Sequence, residues 1–196
     1  PLIDDVAIAK AAEMIANAKN PMIMVGSGAN DAAAEVLALA QRIQAPVASH
    51  RSGKGVVSAD SPYAMDLAAA YEFWKGCDLL IGIGSRLEMQ FMRWRWKPEG
   101  LKVLRIDIDP TEMVRLKPDH GIVGDAAVVT DALTKSIPEQ TGPSREDEFA
   151  AISHAARERF QSVQPQMGYL DAIRAALPRD GFFVEEVSQV GFTARF

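Results

Sequence analysis

The chain has 196 residues, 48% of them apolar and 24% charged, with a formal net charge of −5. That balance supplies a packed core and excludes a disordered chain, and the acidic excess argues against a basic nucleic-acid surface. At about 150 residues per domain the length predicts one domain and a remnant, and no apolar run reaches the ~18 residues of a membrane span.

The elements alternate along the chain. Val6, Ile8, Ala11, Ala12 and Ile15 fall at helical spacing behind Asp4 and Asp5, whose carboxylates suit a helix N-terminus, and Asn20-Pro21 ends that helix. Met22-Ile23-Met24-Val25 reads as a strand buried on both faces, closing at Gly26-Ser27-Gly28. Asp31 is the expected cap of a second helix with Val36, Leu37, Ala40 and Ile43 on one face. Val47-Ala48 is a short strand, and Tyr63 to Lys75 reads as one helix. Leu79 to Ile83 is a strand ending at Gly84-Ser85-Arg86, and Val103 to Ile108 another, followed by Asp109-Pro110-Thr111-Glu112. That last segment fits a cap, Pro at the first helical position, and Glu three after the cap. A weak strand at Gly121-Ile122-Val123 leads through Gly124-Asp125 into a helix from Ala126 to Lys135. The repeated strand, loop and helix predict an α/β fold: a doubly wound, mostly parallel sheet with helices on both faces, Rossmann-like.

The composition then changes. Residues 138–148 are polar and rich in breakers, as an exposed linker is. Phe149 to Phe160 and Tyr169 to Leu177 read as amphipathic helices, and Phe182 to Val187 as a new strand. We therefore expect a central α/β domain over 1–137, a linker over 138–148, and the truncated start of a second domain over 149–196, docked loosely. Pro1 and Phe196 both look like cut ends, as in a piece of a longer protein.

Open α/β sheets bind ligands beyond the carboxyl ends of their strands. The candidates there are Gly26-Ser27-Gly28, the loop His50 to Gly55 with Arg51 and Lys54, Gly84 with Arg86, Asp107, and Gly124-Asp125. Glycine lets backbone approach a phosphate, a helix N-terminus offers free N–H groups, arginine neutralises charge, and Asp107 suits a ribose hydroxyl. Gly26-Ser27-Gly28 lacks the third glycine of the dinucleotide fingerprint, Asp31 standing in its place, so a plain strand-to-helix turn is the competing reading. Asp109 is explained by its capping role. The stretch Phe91 to Lys97 interleaves aromatics with cations and reads as an interface or pocket-lining loop that fills this space. His50, His120 and His154 lie too far apart in sequence to suggest zinc. Cys77, the only cysteine, precedes an apolar strand and reads as inert packing in a reducing compartment.

In order and spacing these motifs resemble the central domain of thiamine-diphosphate-dependent enzymes, the group with acetolactate synthase and benzoylformate decarboxylase. Pro21 to Gly28 resembles that domain's first strand and glycine turn. Cys77 to Leu87 resembles its Ala-Asp-Leu-Leu-Ile-x-x-Gly-x-Arg-Phe strand, and Ile106 to Pro110 with Gly124-Asp125 its best-marked segment. Asp180 to Gly191 resembles the first strand of the family's diphosphate-binding domain, with Ser188 and Gln189 at its Gly-Gln pair.

The resemblance implies a parent enzyme that makes or breaks carbon–carbon bonds beside a carbonyl, as a 2-oxo acid decarboxylase or an acetolactate synthase-like carboligase. It implies thiamine diphosphate and Mg²⁺ in the full-length parent, N- and C-terminal domains of the same chain as partners, a small-molecule substrate, a homo-oligomer (dimer or tetramer) and a cytoplasmic location. It places no catalytic or metal-binding residue in this stretch, so the chain alone is expected to be inactive. Gly26, Ser27, Gly28, Arg51, Gly84, Arg86, Asp107 and Asp125 would line a nucleotide pocket for FAD or ADP. The family's flavin-binding Gly-x-x-Gly segment is replaced by Ser61 to Leu67, without glycine, which favours a structural central domain. The alternative readings are a self-sufficient FAD-, NAD- or adenine-nucleotide-binding module and a subunit-contact scaffold. Neither nucleic acid nor membrane is expected as a partner.

Overall fold

A computed structural model describes residues 3–94, 96–139 and 142–195; Arg95 of the aromatic stretch, Gln140 and Thr141 of the linker, and the terminal Pro1, Leu2 and Phe196 lie outside the described residues. The elements are α1 (Asp5–Ala16), β1 (Pro21–Val25), α2 (Ala33–Ile43), β2 (Val47–Ser49), β3 (Ala64–Met65), α3 (Leu67–Trp74), β4 (Leu79–Ile83), β5 (Lys102–Asp107), α4 (Thr111–Arg115), β6 (His120–Val123), α5 (Ala126–Ser136), α6 (Glu146–Phe160), α7 (Gln166–Ala176) and α8 (Gln189–Thr193).

All six strands are parallel, in the order β3-β2-β1-β4-β5-β6. This is the doubly wound arrangement, with the direction of winding reversing between β1 and β4. Every residue of β1 and β4 is buried, which is why their sequences are apolar throughout rather than alternating. Helices α1 and α2 both pack on α5, and α3 packs on α6. The caps are local and readable: Asp4 accepts from Val6 and Ala7 N–H at 3.0 and 3.1 Å, and Asp125 accepts from Val128 N–H at 3.0 Å.

Expectations for several segments need correction. Asp31 caps nothing. It lies inside a 3-10 turn over Ser27–Ala32, and α2 starts at Ala33 with no side-chain cap and buries Leu39 rather than Leu37. Tyr63 to Lys75 is not one helix. Ala64 and Met65 add a parallel edge strand to β2, and Asp66 then caps α3 through Ala69 N–H at 2.8 Å. Phe182 to Val187 forms no strand; without a neighbouring strand to share its hydrogen bonds, it leaves Phe182 and Val184 about nine-tenths exposed. The aromatic stretch does not fill the space at the strand ends. Trp94 turns instead onto Tyr71 and Trp74, with ring centroids 5.5 and 5.2 Å apart.

Beyond the linker the packing is uneven. Phe149 of α6 is wholly buried, edge-on to Tyr63 and Phe73 at 5.9 Å each. The Arg145 guanidinium lies over Phe73 and Phe149 and donates to Asn20 Oδ1 at 2.6 Å. So α6 docks firmly, against expectation, whereas α7 buries no residue fully.

Candidate functional site

The carboxyl ends of β1, β2, β4, β5 and β6 converge on a cleft of about 540 Å³. All eight residues read from the sequence as a nucleotide pocket line it: Gly26, Ser27, Gly28, Arg51, Gly84, Arg86, Asp107 and Asp125. Lys54 does not; its ammonium donates to Ala194 carbonyl at 3.2 Å.

The glycines have a structural task. Gly26 N–H donates to Ile83 carbonyl at 3.2 Å, Gly28 N–H to Gly84 carbonyl at 3.1 Å, and Ala29 N–H to Gly26 carbonyl at 3.0 Å. A Cβ on Gly26 would lie 2.3 Å from Gly84 oxygen, and one on Gly84, at φ +53°, 2.4 Å from the Gly28 carbonyl carbon. The loops after β1 and β4 thus interlock at the reversal point, with no room for side chains. The Gly26 and Gly28 N–H groups are engaged in holding the two segments together, and the Ala29 N–H closes the turn on Gly26.

Beneath the cleft lies a charged network that sequence reasoning missed. Arg105 is fully buried in the middle of β5. It donates to Ser85 carbonyl at 2.8 Å, to Glu112 Oε2 at 3.0 Å and to Glu112 carbonyl. Arg115 adds bonds to the same carboxylate at 2.7 to 3.1 Å and reaches Arg86 carbonyl at 2.7 Å, while Arg86 Nε stands 3.4 Å from Glu112 Oε1. Arg115 first, and Arg105 beside it, hold the Glu112 carboxyl down at about 2. A carboxylate saturated by three guanidiniums exchanges no proton near neutral pH. Its work is to tie α4 and the β4 loop onto β5. The capping-box reading of Glu112 was therefore wrong, because Arg105 recruits its side chain downward. The available signal was an arginine inside the apolar run Val103-Leu104-Arg105-Ile106, since a charge on a buried strand requires a partner.

The remaining carboxylates are also committed. Asp107 Oδ1 accepts from Asp109 N–H at 3.1 Å, and Asp109 Oδ1 accepts from Thr111 N–H at 2.8 Å. His50 lines the rim with its Nδ1 buried and unpartnered, and burial, with Arg51 adding to it, lowers its pKa. Cys77 lies elsewhere in the core, its thiol pushed up to about 12 by burial, as inert packing requires.

Ser188 and Gln189 stand apart from the cleft. Ser188 Oγ caps α8 by accepting from Gly191 N–H at 3.0 Å, and Gln189 Oε1 is 3.4 Å from Gln166 Nε2. Among the described residues no group of three or more His, Cys, Asp or Glu is placed to hold a metal ion, and no helix is long and apolar enough to cross a membrane.

Comparison with known proteins gives this architecture its relatives. Residues 8–133 match the family described as thiamine pyrophosphate enzyme, central domain. The chain is 30% identical to a probable 2-ketoarginine decarboxylase, AruI, of Pseudomonas aeruginosa, over 97% of its own length and 35% of that protein's. It is 37% identical to a probable acetolactate synthase large subunit of Methanocaldococcus jannaschii, over 66% of its length and 24% of that protein's. Human 2-hydroxyacyl-CoA lyase 1 is 28% identical over 92% of the chain and 34% of the lyase. A crystal structure described as that of a thiamin diphosphate-dependent enzyme from Mycobacterium smegmatis superposes with a TM-score of 0.58 at 24% identity, over 71% of this chain and 29% of that one, a likeness of fold. The chain spans between about a quarter and a third of the length of the curated relatives it matches.

Proposed function

The chain belongs to the thiamine pyrophosphate enzymes, whose central domain it carries, and from that premise we propose that the whole protein makes or breaks a carbon–carbon bond next to a carbonyl. The reaction is decarboxylation of a 2-oxo acid or carboligation of the acetolactate synthase kind. One observation carries this reading: a family match over residues 8–133 that coincides with the six-stranded doubly wound sheet.

Thiamine diphosphate, as an ylid, supplies the electron sink for such chemistry, and in this reading it comes with Mg²⁺ from parts of the protein outside these residues. Within the chain we divide a central domain over 1–137 from a linker over 138–148 and the start of a diphosphate-binding domain over 149–196. The central domain is mainly structural. The interlocked glycine loops and the Arg105–Glu112 network support that role over a flavin or ADP site, because the Gly26, Gly28 and Ala29 N–H groups are already engaged. The whole protein is cytoplasmic and a homo-oligomer in this reading.

The test is turnover. The whole protein, supplied with thiamine diphosphate and Mg²⁺, is expected to release CO₂ from a 2-oxo acid or to join two such acids. The 196-residue chain alone is expected to do neither. A whole protein that turns over no 2-oxo acid or acyl relative with both cofactors present would overturn the proposal.

A further inference from the structure

A ring of side chains closes at the amino ends of the strands, at the opposite end of the sheet from the strand-end cleft. Arg145, the last residue before α6, donates its main-chain N–H to Gln44 Oε1 at 2.9 Å. Gln44, which ends α2 at φ +51°, donates in turn from Nε2 to the Tyr63 hydroxyl at 2.8 Å. Tyr63 meets Phe149 edge-on at 5.9 Å, and the Arg145 guanidinium lies over Phe149 at 5.3 Å, which closes the ring. The same guanidinium lies over Phe73 at 5.4 Å, donates to Asn20 Oδ1 at 2.6 Å and forks onto both oxygens of Glu148 at 2.8 Å each. Asn20 is itself pinned, its Nδ2 donating to Gly76 carbonyl at 2.9 Å. The linker, α2, α3, α6 and the segments before β1 and β3 thus meet at one arginine.

The rest of α6 is held less tightly. Its 15 residues extend over about 22 Å, and after Phe149 it fully buries only Ala156 among the described residues. An alanine offers little apolar area to grip. Near the far end Arg159 pairs with Glu72 at 3.0 Å, but its side chain is 59% exposed, and exposed pairs are weak. A rod gripped at one end turns a small tilt there into a large displacement at the other. Pivoting at Phe149, a tilt of about 15° carries Phe160, ~16 Å further on, by roughly 4 Å. We propose that this ring is a joint in which Arg145 sets the tilt of α6 and so aims the residues that follow it. The joint requires the planar, forked guanidinium rather than a positive charge alone, because a lysine cannot stack flat on two rings while bonding Asn20 and Glu148 together. It stands independently of the carbon–carbon bond chemistry proposed above.

The test is a pulsed electron–electron distance measurement between two spin labels on the 196-residue chain. One label is carried by Lys10→Cys on α1, the other by Asp147→Cys or Glu158→Cys at the two ends of α6. All three positions are exposed, and buried Cys77 offers no competing thiol. In Arg145→Lys the distance to the label at 158 is expected to shift or broaden by about 3 Å, and that to the label at 147 by less than ~1 Å. Gln44→Met opens the ring while leaving the guanidinium in place, and should change the same distances in the same order by a smaller amount. Wild-type distances in either variant would overturn the joint. So would equal changes at both ends of α6, as undocking of the whole helix would give.

Discussion

Gly28 and Gly84 meet backbone to backbone at the point where the sheet reverses its winding: Gly28 N–H donates to Gly84 carbonyl at 3.1 Å, and neither position can hold a Cβ without striking the other's main chain. Gly84 carries the double burden of this contact and a φ of +53°. Gly84→Ala is expected to destabilise the chain by about 3 kcal/mol or more. Gly55, at φ +94° with open space around it, isolates the conformational part, and Gly55→Ala should cost only about 1–2 kcal/mol. Urea unfolding of the two variants measures the difference; equal costs would mean that the clasp contributes nothing.

The Arg105–Glu112 pair makes a prediction about charge. Glu112→Gln leaves a fully buried guanidinium with only the more distant Asp107 carboxylate, 3.8 Å away, as counter-charge and should cost about 3 kcal/mol. The carboxyl titrates near 2 when folded against about 4.5 when unfolded, so its stabilising contribution is complete above pH 5. It is lost as pH falls from 4.5 toward 2. The pH–stability curve of Glu112→Gln should be correspondingly flatter between pH 5 and 3, and curves that run parallel there would rule out the coupling.

Cys77 should be silent. A buried thiol pushed up to about 12, its Sγ 3.3 Å from Leu79 carbonyl, carries almost no thiolate at pH 8. An aromatic disulfide reagent is expected to label it only on unfolding, at least ~100-fold faster in denaturant than in buffer. Rapid labelling of the native chain would contradict its place in the core.

Phe149 anchors α6 to the central domain. Phe149→Ala should cost about 3–5 kcal/mol, whereas Tyr169→Ala, at a position 57% exposed, should fall within ~0.5 kcal/mol. Limited proteolysis is expected to cut the native chain first within 138–148, and Phe149→Ala should hasten cleavage in α6. Hydrogen exchange that protects α7 as strongly as α6 would go against this order of stability.

Nucleotides test the interlocked loops from the other side. Calorimetric titration with FAD, ADP and NAD is expected to show no low-micromolar binding, because the Gly26, Gly28 and Ala29 N–H groups already have acceptors. Tight FAD binding that Asp107→Ala abolishes would restore the cofactor reading of the strand-end cleft.

The sequence by itself determined the sheet's central strands, because Met22 to Val25 and Leu79 to Ile83 are apolar at every position and only a doubly covered parallel strand buries both faces. It also determined which eight residues share the strand-end cleft, since chain order in a doubly wound fold sends each post-strand loop to the same edge. Tertiary structure decided what those residues do. The glycine donors are bonded across 56 residues of chain, from Gly28 to Gly84, and Glu112 is drawn from a cap into the core by Arg105 on the neighbouring strand. A hydrogen bond to a sequence-distant partner leaves no periodicity in the chain, so a free phosphate cradle and an occupied clasp read alike until the strands are paired. The two-residue strand β3 and the unformed strand at Phe182 to Val187 show the same limit. Whether a segment becomes a strand depends on the edge beside it: Ala64 and Met65 find β2, and the longer apolar run finds no strand among the described residues.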